Sequence, residues 1–114
     1  MDSRIRQFVF FSLAIIGVFA TWHFNIRHIN AKGGFTVSAY LADVYANDAS
    51  SSIGNDILVV VVAFFFWSHH EAKRLNMKFW PVYVVLTFLV AMAFTFPLFM
   101  YMRERKLADL SAEK

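Results

Sequence analysis

Asn55-Asp56, then Ile57-Leu58-Val59-Val60-Val61-Val62-Ala63-Phe64-Phe65-Phe66-Trp67, then Ser68-His69-His70-Glu71-Ala72-Lys73-Arg74, form the stretch around which the rest of the chain must be arranged. Its apolar middle, Ile57 to Trp67, is bounded on both sides by groups that resist transfer into hydrocarbon. A helix of that length rises only about 16 Å, roughly half of a bilayer's ~30 Å core. A span built here draws Asp56 at one end, or His69 and Glu71 at the other, toward lipid. An ionisable residue so placed is a candidate functional group.

The whole chain supports a membrane setting. It has 114 residues, of which 59% are hydrophobic and 17% charged. Its mean hydropathy is +0.51. A soluble domain of this size cannot hide that much apolar surface, because small domains have a high surface-to-volume ratio. Fourteen Phe and three Trp suit lipid, an apolar ligand or helix packing. With no Cys, disulfides, thiol catalysis and Cys-ligated metals are excluded. The net charge of +3 gathers at segment ends, which fits a membrane surface and not nucleic acid.

Arg4 and Arg6 precede an apolar run from Phe8 to Phe24. This run also reads as a signal peptide with Val18-Phe19-Ala20 as a cleavage site, but is taken here as a first span over about 8–26. Trp22-His23-Phe24-Asn25 ends it in the aromatic and polar mixture of an interface, and Gly33-Gly34 breaks the chain. Residues 35–46 are too polar to cross, and Phe35, Ala39, Ala42 and Ala46 recur at helical spacing, so a short interfacial helix is expected. Asn47 and Asn55 compete to cap the second span, about 50–70, and the earlier start is favoured because the shorter helix barely crosses. Residues 79–102 form an unbroken apolar third span of ~36 Å, with Pro81 in its first turn and a kink at Pro97. The charged tail 103–114 is expected to fray.

The expected fold is therefore all-α: one membrane domain with three transmembrane helices, an interfacial helix in the first loop, and termini on opposite sides. Lys and Arg then divide almost evenly between the two sides, so they assign no orientation. In this layout Asn25, Asp43, Asn47, Asp56, Tyr101 and Arg103 share the side of the long loop. Glu71 and Arg74 form a second polar cluster on the side of the N-terminus.

Asp56, Val60, Ala63, Trp67 and Arg74 share one helix face, which belongs against other helices. Asp56 has two readings: a carboxylate favoured by a helix N-terminus, or a buried carboxylate paired with Arg103 or Asn25 that orients a ligand. Glu71 and Arg74 make an i,i+3 pair. The candidate binding or structural polar site comprises Trp22, Asn25, Asn47, Asn55, Asp56, Trp67, Tyr101 and Arg103. No residue is assigned to catalysis or to a metal, since His23 and His69 lie about a bilayer apart and adjacent His69 and His70 point ~100° apart. Thr87, Ala91 and Thr95 on the third span, and Gly17 and Thr21 on the first, form small-residue seams suited to self-association.

Trp22-His23-Phe24-Asn25, Ala46-Asn47, Asn55-Asp56-Ile57-Leu58, Glu71-Ala72-Lys73-Arg74 and Phe96-Pro97-Leu98-Phe99-Met100-Tyr101-Met102-Arg103-Glu104-Arg105 together resemble a family of small bacterial multi-pass membrane proteins. That family is catalogued only as a domain of unknown function, so the resemblance implies a bacterial inner or photosynthetic membrane and no activity. The layout also resembles, in architecture alone, helical-bundle carotenoid-modifying proteins with acidic residues at span ends.

The function expected first is a non-enzymatic accessory or binding subunit. It would hold a lipid, carotenoid or other isoprenoid pigment, or join a homo-oligomer or larger membrane complex. The alternatives are half of a homodimeric carrier, which would bind a polar solute, and a membrane enzyme acting on an isoprenoid with Asp56 as acid.

Overall fold

The computed structural model describes residues 2–112, which form five α-helices and no strand. Helix α1 is Ser3–Lys32, α2 Val37–Val44, α3 Asp48–Arg74, α4 Trp80–Leu89 and α5 Met92–Ala112. Two of these, α1 and α3, are long and apolar enough to cross a membrane.

Local chemistry accounts for most of the boundaries. The Asp2 carboxylate accepts the Arg4 backbone N–H and starts α1. Nothing breaks that helix until Gly33, whose φ of 71° is the left-handed conformation glycine adopts without strain. Helix α1 therefore runs past the expected end near residue 26. Thr36 caps α2, within the stretch where a short helix is expected. Asn47 Oδ1 accepts the Ser50 N–H at 2.9 Å, so α3 takes the earlier of the two competing starts. Asp48 in its first turn and Lys73 and Arg74 in its last complement the helix dipole.

The apolar run 79–102 departs from expectation. It is two helices, not one, parted at Val90-Ala91 and folded back on each other. The Tyr83 and Phe99 rings lie 5.2 Å apart, whereas one straight helix would separate these positions by roughly 24 Å. Helix α5 then descends antiparallel along α1. The Trp22 indole N–H donates to the Val90 carbonyl at 2.7 Å, Phe11 meets Tyr101 at 5.3 Å, and Arg6 meets Glu104 at 3.0 Å. The start of α1 and the second half of α5 thus lie at the same end, which corrects the expectation of termini on opposite sides. Nor does the tail fray over the described residues, since it stays helical through Ala112; residues 113–114 lie outside them.

The turn occurs without Gly or Pro because its polar groups find partners. The Val90 N–H still bonds the Leu86 carbonyl, and the Ala91 carbonyl accepts the N–H groups of Phe94 and Thr95 together with the Thr95 hydroxyl. Trp22 takes the Val90 carbonyl. Pro97 lies within α5 and has no N–H to give to the Ala93 carbonyl. Gly17 of α1 packs against that same carbonyl so closely that a Cβ at position 17 would lie 2.1 Å from its oxygen.

Helix α5 is the central element. Fully buried Phe99 meets the rings of Phe64, Trp67 and Tyr83 in edge-to-face fashion, joining α3, α4 and α5. Trp80 Nε1 donates to the buried Ser68 hydroxyl at 2.9 Å. Gly17 and buried Ala14 lie on the side of α1 that carries these close contacts. Thr95 is also fully buried. The seam assigned to self-association is thus split between two helices and partly closed within the chain.

Because the clashing atom is backbone, Gly17→Ala should lower stability by about 1–3 kcal/mol, and Gly17→Leu should prevent α5 from docking. Thermal unfolding in one fixed detergent checks this against Ala20→Leu on the exposed face of α1. Equal effects at positions 17 and 20 would rule out the close approach.

Candidate functional site

The fold-back brings together the beginning of α1, the end of α3 and the second half of α5. Two carboxylates are buried there, Glu71 and Glu104, each only 5% exposed. Both are held by arginines. Arg103 Nε donates to Glu71 Oε2 at 2.7 Å, and Arg74 Nε holds the other oxygen, Oε1. Arg6 Nε donates to Glu104 Oε2 at 3.0 Å, and Arg103 Nη1 lies 3.7 Å from Glu104 Oε1. Arg6, Glu104, Arg103, Glu71 and Arg74 therefore form one row of alternating sign across three helices.

The geometry follows from helical spacing. Glu71 and Arg74 sit one turn apart at the end of α3, an i,i+3 pair. Arg103 and Glu104 are neighbours on α5 and point ~100° apart, so Arg103 reaches α3 while Glu104 reaches α1. The Arg103 guanidinium also lies 5.8 Å from the centre of the Trp67 ring, within cation–π range. With three cations for two anions, every carboxylate oxygen in the row faces an arginine.

The residues singled out from the sequence are distributed as follows. Glu71, Arg74, Arg103 and Trp67 meet in this row. Tyr101 lies beside it, its ring tilted at 55° against Phe11 and with Arg105 over it. Trp22 caps the hairpin tip. Asn47 caps α3, Asn55 Oδ1 accepts the Tyr45 hydroxyl at 2.8 Å, and Asn25 Oδ1 accepts the Tyr40 hydroxyl at 3.4 Å. Asp56 is exposed, and its carboxylate has no partner among the described residues. The expected Asp56–Arg103 pair is not formed. Asp56 and Glu71 are about 22 Å apart along α3, and the fold-back carries Arg103 to the Glu71 end. For the same reason Tyr101 and Arg103 do not share the long-loop end with Asn25 and Asp43.

Sequence reasoning missed Arg6 and Glu104. Glu104 falls in the tail expected to fray; its signal is the Arg103-Glu104-Arg105 pattern following an apolar helix, where a carboxylate among arginines needs only a third helix to be buried. A second polar cluster joins α1 to α2 at the opposite end. Asp43 Oδ2 lies 3.2 Å from His28 Nδ1 and 3.6 Å from Lys32 Nζ, while His28 Nε2 is buried without a hydrogen-bond partner among the described residues. Among the described residues no group of three or more His, Cys, Asp and Glu could hold a metal ion.

A family model described as "Protein of unknown function DUF2834" matches residues 9–105. The chain belongs to this family. The match includes Glu71, Arg74, Arg103 and Glu104 and begins after Arg6. A search of curated proteins found no match, and a search of solved structures found none.

Removing one member of a buried ion pair leaves the other charge uncompensated, at a cost of about 3–5 kcal/mol. Glu71→Gln and Arg103→Gln should each destabilise the protein by an amount near the lower end, since Arg103 keeps some solvent contact. The double variant should cost clearly less than their sum. Asp56→Asn should change stability by no more than about 0.5 kcal/mol. Unfolding midpoints across this cycle check the pairing; strict additivity of Glu71 and Arg103 would refute it.

Proposed function

We propose that this chain is a small integral membrane protein acting as a non-enzymatic accessory or binding subunit. In this reading α1 and α3 span the bilayer, α2 lies at the far interface, and α4–α5 is a hairpin that enters and leaves on one side. The observation that carries the proposal is the contrast between a clamped polar end and an uncovered apolar exterior. Only 11% of the most apolar window of α1, and 11% of that of α3, is buried within the chain. Phe8, Phe19, Phe66 and Phe88 are each more than 70% exposed. Apolar surface of that extent needs lipid, a lipophilic ligand or partner helices to cover it.

Several features support the hairpin as a membrane element. Non-spanning backbone is tolerated at membrane depth when protein satisfies its polar groups, and at this tip Trp22 takes the Val90 carbonyl. The fold-back also changes the charge balance. Arg4, Arg6, Lys73, Arg74, Lys78, Arg103, Arg105 and Lys106 lie toward the clamped end, against Arg27 and Lys32 toward the other. The near-balance of a three-span layout becomes a strong bias, and it favours the clamped end, with both termini, as the cytoplasmic side.

Glu71 and Glu104 suit a fastening role, because arginines already occupy them. The exposed faces of α1 and α3 are left to hold a lipid, isoprenoid or pigment, or to join a second copy or a larger membrane complex.

The chain has no Cys, so single cysteines report topology cleanly. Ser3→Cys, Asn76→Cys and Ser111→Cys should label from one face and Lys32→Cys from the other. Labelling of positions 3 and 111 from opposite faces would overturn the hairpin. Purification in a gentle detergent, followed by mass spectrometry, should recover a co-purifying lipophile or partner chain. Bare, strictly monomeric protein would count against the accessory role.

A further inference from the structure

The link between α3 and α4 is a tight corner, and its backbone is unusual. Asn76 and Phe79 both adopt positive φ, 54° and 67°. Asparagine tolerates this conformation, but for a bulky aromatic it is an outlier of the kind that clusters at functional sites. Phe79 gains little burial within the chain in return, since the residue is 74% exposed. The strained backbone instead presents an aromatic ring outward, beside the first turn of α4.

Two clefts flank this corner and share Asn76, Met77, Lys78 and Phe79. The larger, about 720 Å³, continues to Lys73, Trp80 and Pro81. The smaller, about 290 Å³, continues to Tyr83, Met102, Arg105 and Lys106, with Asp109 its one acidic residue. Each cleft sets cationic side chains beside aromatic and Met ones.

The cations of the clefts differ from those of the clamp. Arg6, Arg74 and Arg103 are committed to Glu71 and Glu104. Lys73, Lys78 and Lys106 have no carboxylate partner among the described residues, and Arg105 rests over the Tyr101 ring. A ligand that fits must carry negative charge at one end and an apolar body at the other. Free phosphate would use the lysines but not Phe79, Trp80 or Met102. An anionic phospholipid uses both, and basic groups beside a membrane surface attract such lipids.

We propose that the α3–α4 corner is a seat for an anionic phospholipid of the clamp-side leaflet. The headgroup phosphate lies between Lys78 and Lys106 in the smaller cleft, and an acyl chain lies against Phe79 and Met102. This inference rests on the membrane reading above and gives its uncovered surface a particular ligand class.

The test uses the full chain reconstituted in phosphatidylcholine nanodiscs containing an increasing fraction of phosphatidylglycerol. Lipids retained after release into mild detergent are counted by native mass spectrometry. Wild type should retain phosphatidylglycerol in preference to phosphatidylcholine. Lys78→Gln should reduce that preference about fivefold, and Lys78→Gln with Lys106→Gln by about 25-fold, from the stabilisation of roughly one lysine–headgroup contact each. Lys32→Gln, at the opposite end, should leave it unchanged. Equal retention of the two lipids, equal loss from Lys32→Gln, or displacement of the lipid by millimolar inorganic phosphate would overturn the proposal. If the protein inserts with positions 3 and 111 on one face yet shows no preference, the lipid seat alone fails. If it does not insert, the membrane reading fails with it.

Discussion

A peptide carbonyl left without a partner in apolar surroundings costs roughly 2–7 kcal/mol, depending on the reference state. The tip of the α4–α5 hairpin would carry that cost at Val90 if the Trp22 indole did not donate to it. Much else follows from this one bond. It makes Val90-Ala91 a tolerable place for the chain to reverse within an apolar run. The reversal sets the direction of α5, and that direction decides which end of the molecule receives Arg103 and Glu104. Had the chain continued straight, Glu71 would have only Arg74 within reach and Glu104 would face water.

The clamp at that end is better understood as a register device than as a source of net stability. Buried ion pairs often repay little more than the desolvation of their charges, yet breaking one is costly. Arg103 and Glu104 are sequence neighbours that engage different helices, so both α5 rotation and α5 height are fixed at once. A shift of α5 by one residue would turn Glu104 away from Arg6 and Arg103 away from Glu71 together. Close packing adds a second lock along the same helix pair. Pro97 withholds an N–H from the Ala93 carbonyl, and Gly17 lets α1 approach that oxygen. The contact is backbone to backbone, with a weak Cα–H donor facing a carbonyl short of one partner. Proline and glycine on different helices thus serve one interface.

How far the sequence discloses this fold depends on whether the deciding interaction is local. The Asn47 cap and the break at Gly33-Gly34 are short-range chemistry and legible, whereas the Asp2 and Thr36 caps pass unnoticed and α1 runs on from its expected end near residue 26 to that break. The Glu71–Arg74 pair is legible for the same reason, since three residues make one turn. The hairpin is not. Residues 79–102 are long enough to cross as one helix, and Val90-Ala91 carries no turn-forming residue. The information that bends the chain there sits on α1, in Trp22. Once the hairpin is missed, Arg103 is assigned to the wrong end, and the pairing with Asp56 follows by error. The misplacement of Arg103, Arg105 and Lys106 is also what made the distribution of basic residues look uninformative.

The two ends of the molecule are held together by different means, and this bears on where a partner could act. At the clamped end, rings and ion pairs link α1, α3, α4 and α5. At the far end the connections run through α2, by the Tyr40–Asn25, Tyr45–Asn55 and His28–Asp43 contacts. Such polar contacts near solvent are each worth little, and surface pairs typically contribute less than about 1 kcal/mol. The first half of α3, with the unpaired Asp56 on it, is therefore the less supported part of the bundle. Helical depth places Asp56 about 12 Å beyond the start of α3, deeper than a capping residue needs to be. Its carboxylate has no partner among the described residues, so in a bilayer a compensating donor would come from water, from a ligand or from another protein. The clamp fastens one end through buried ion pairs, and the other end rests on the contacts of α2 beside an exposed Asp56.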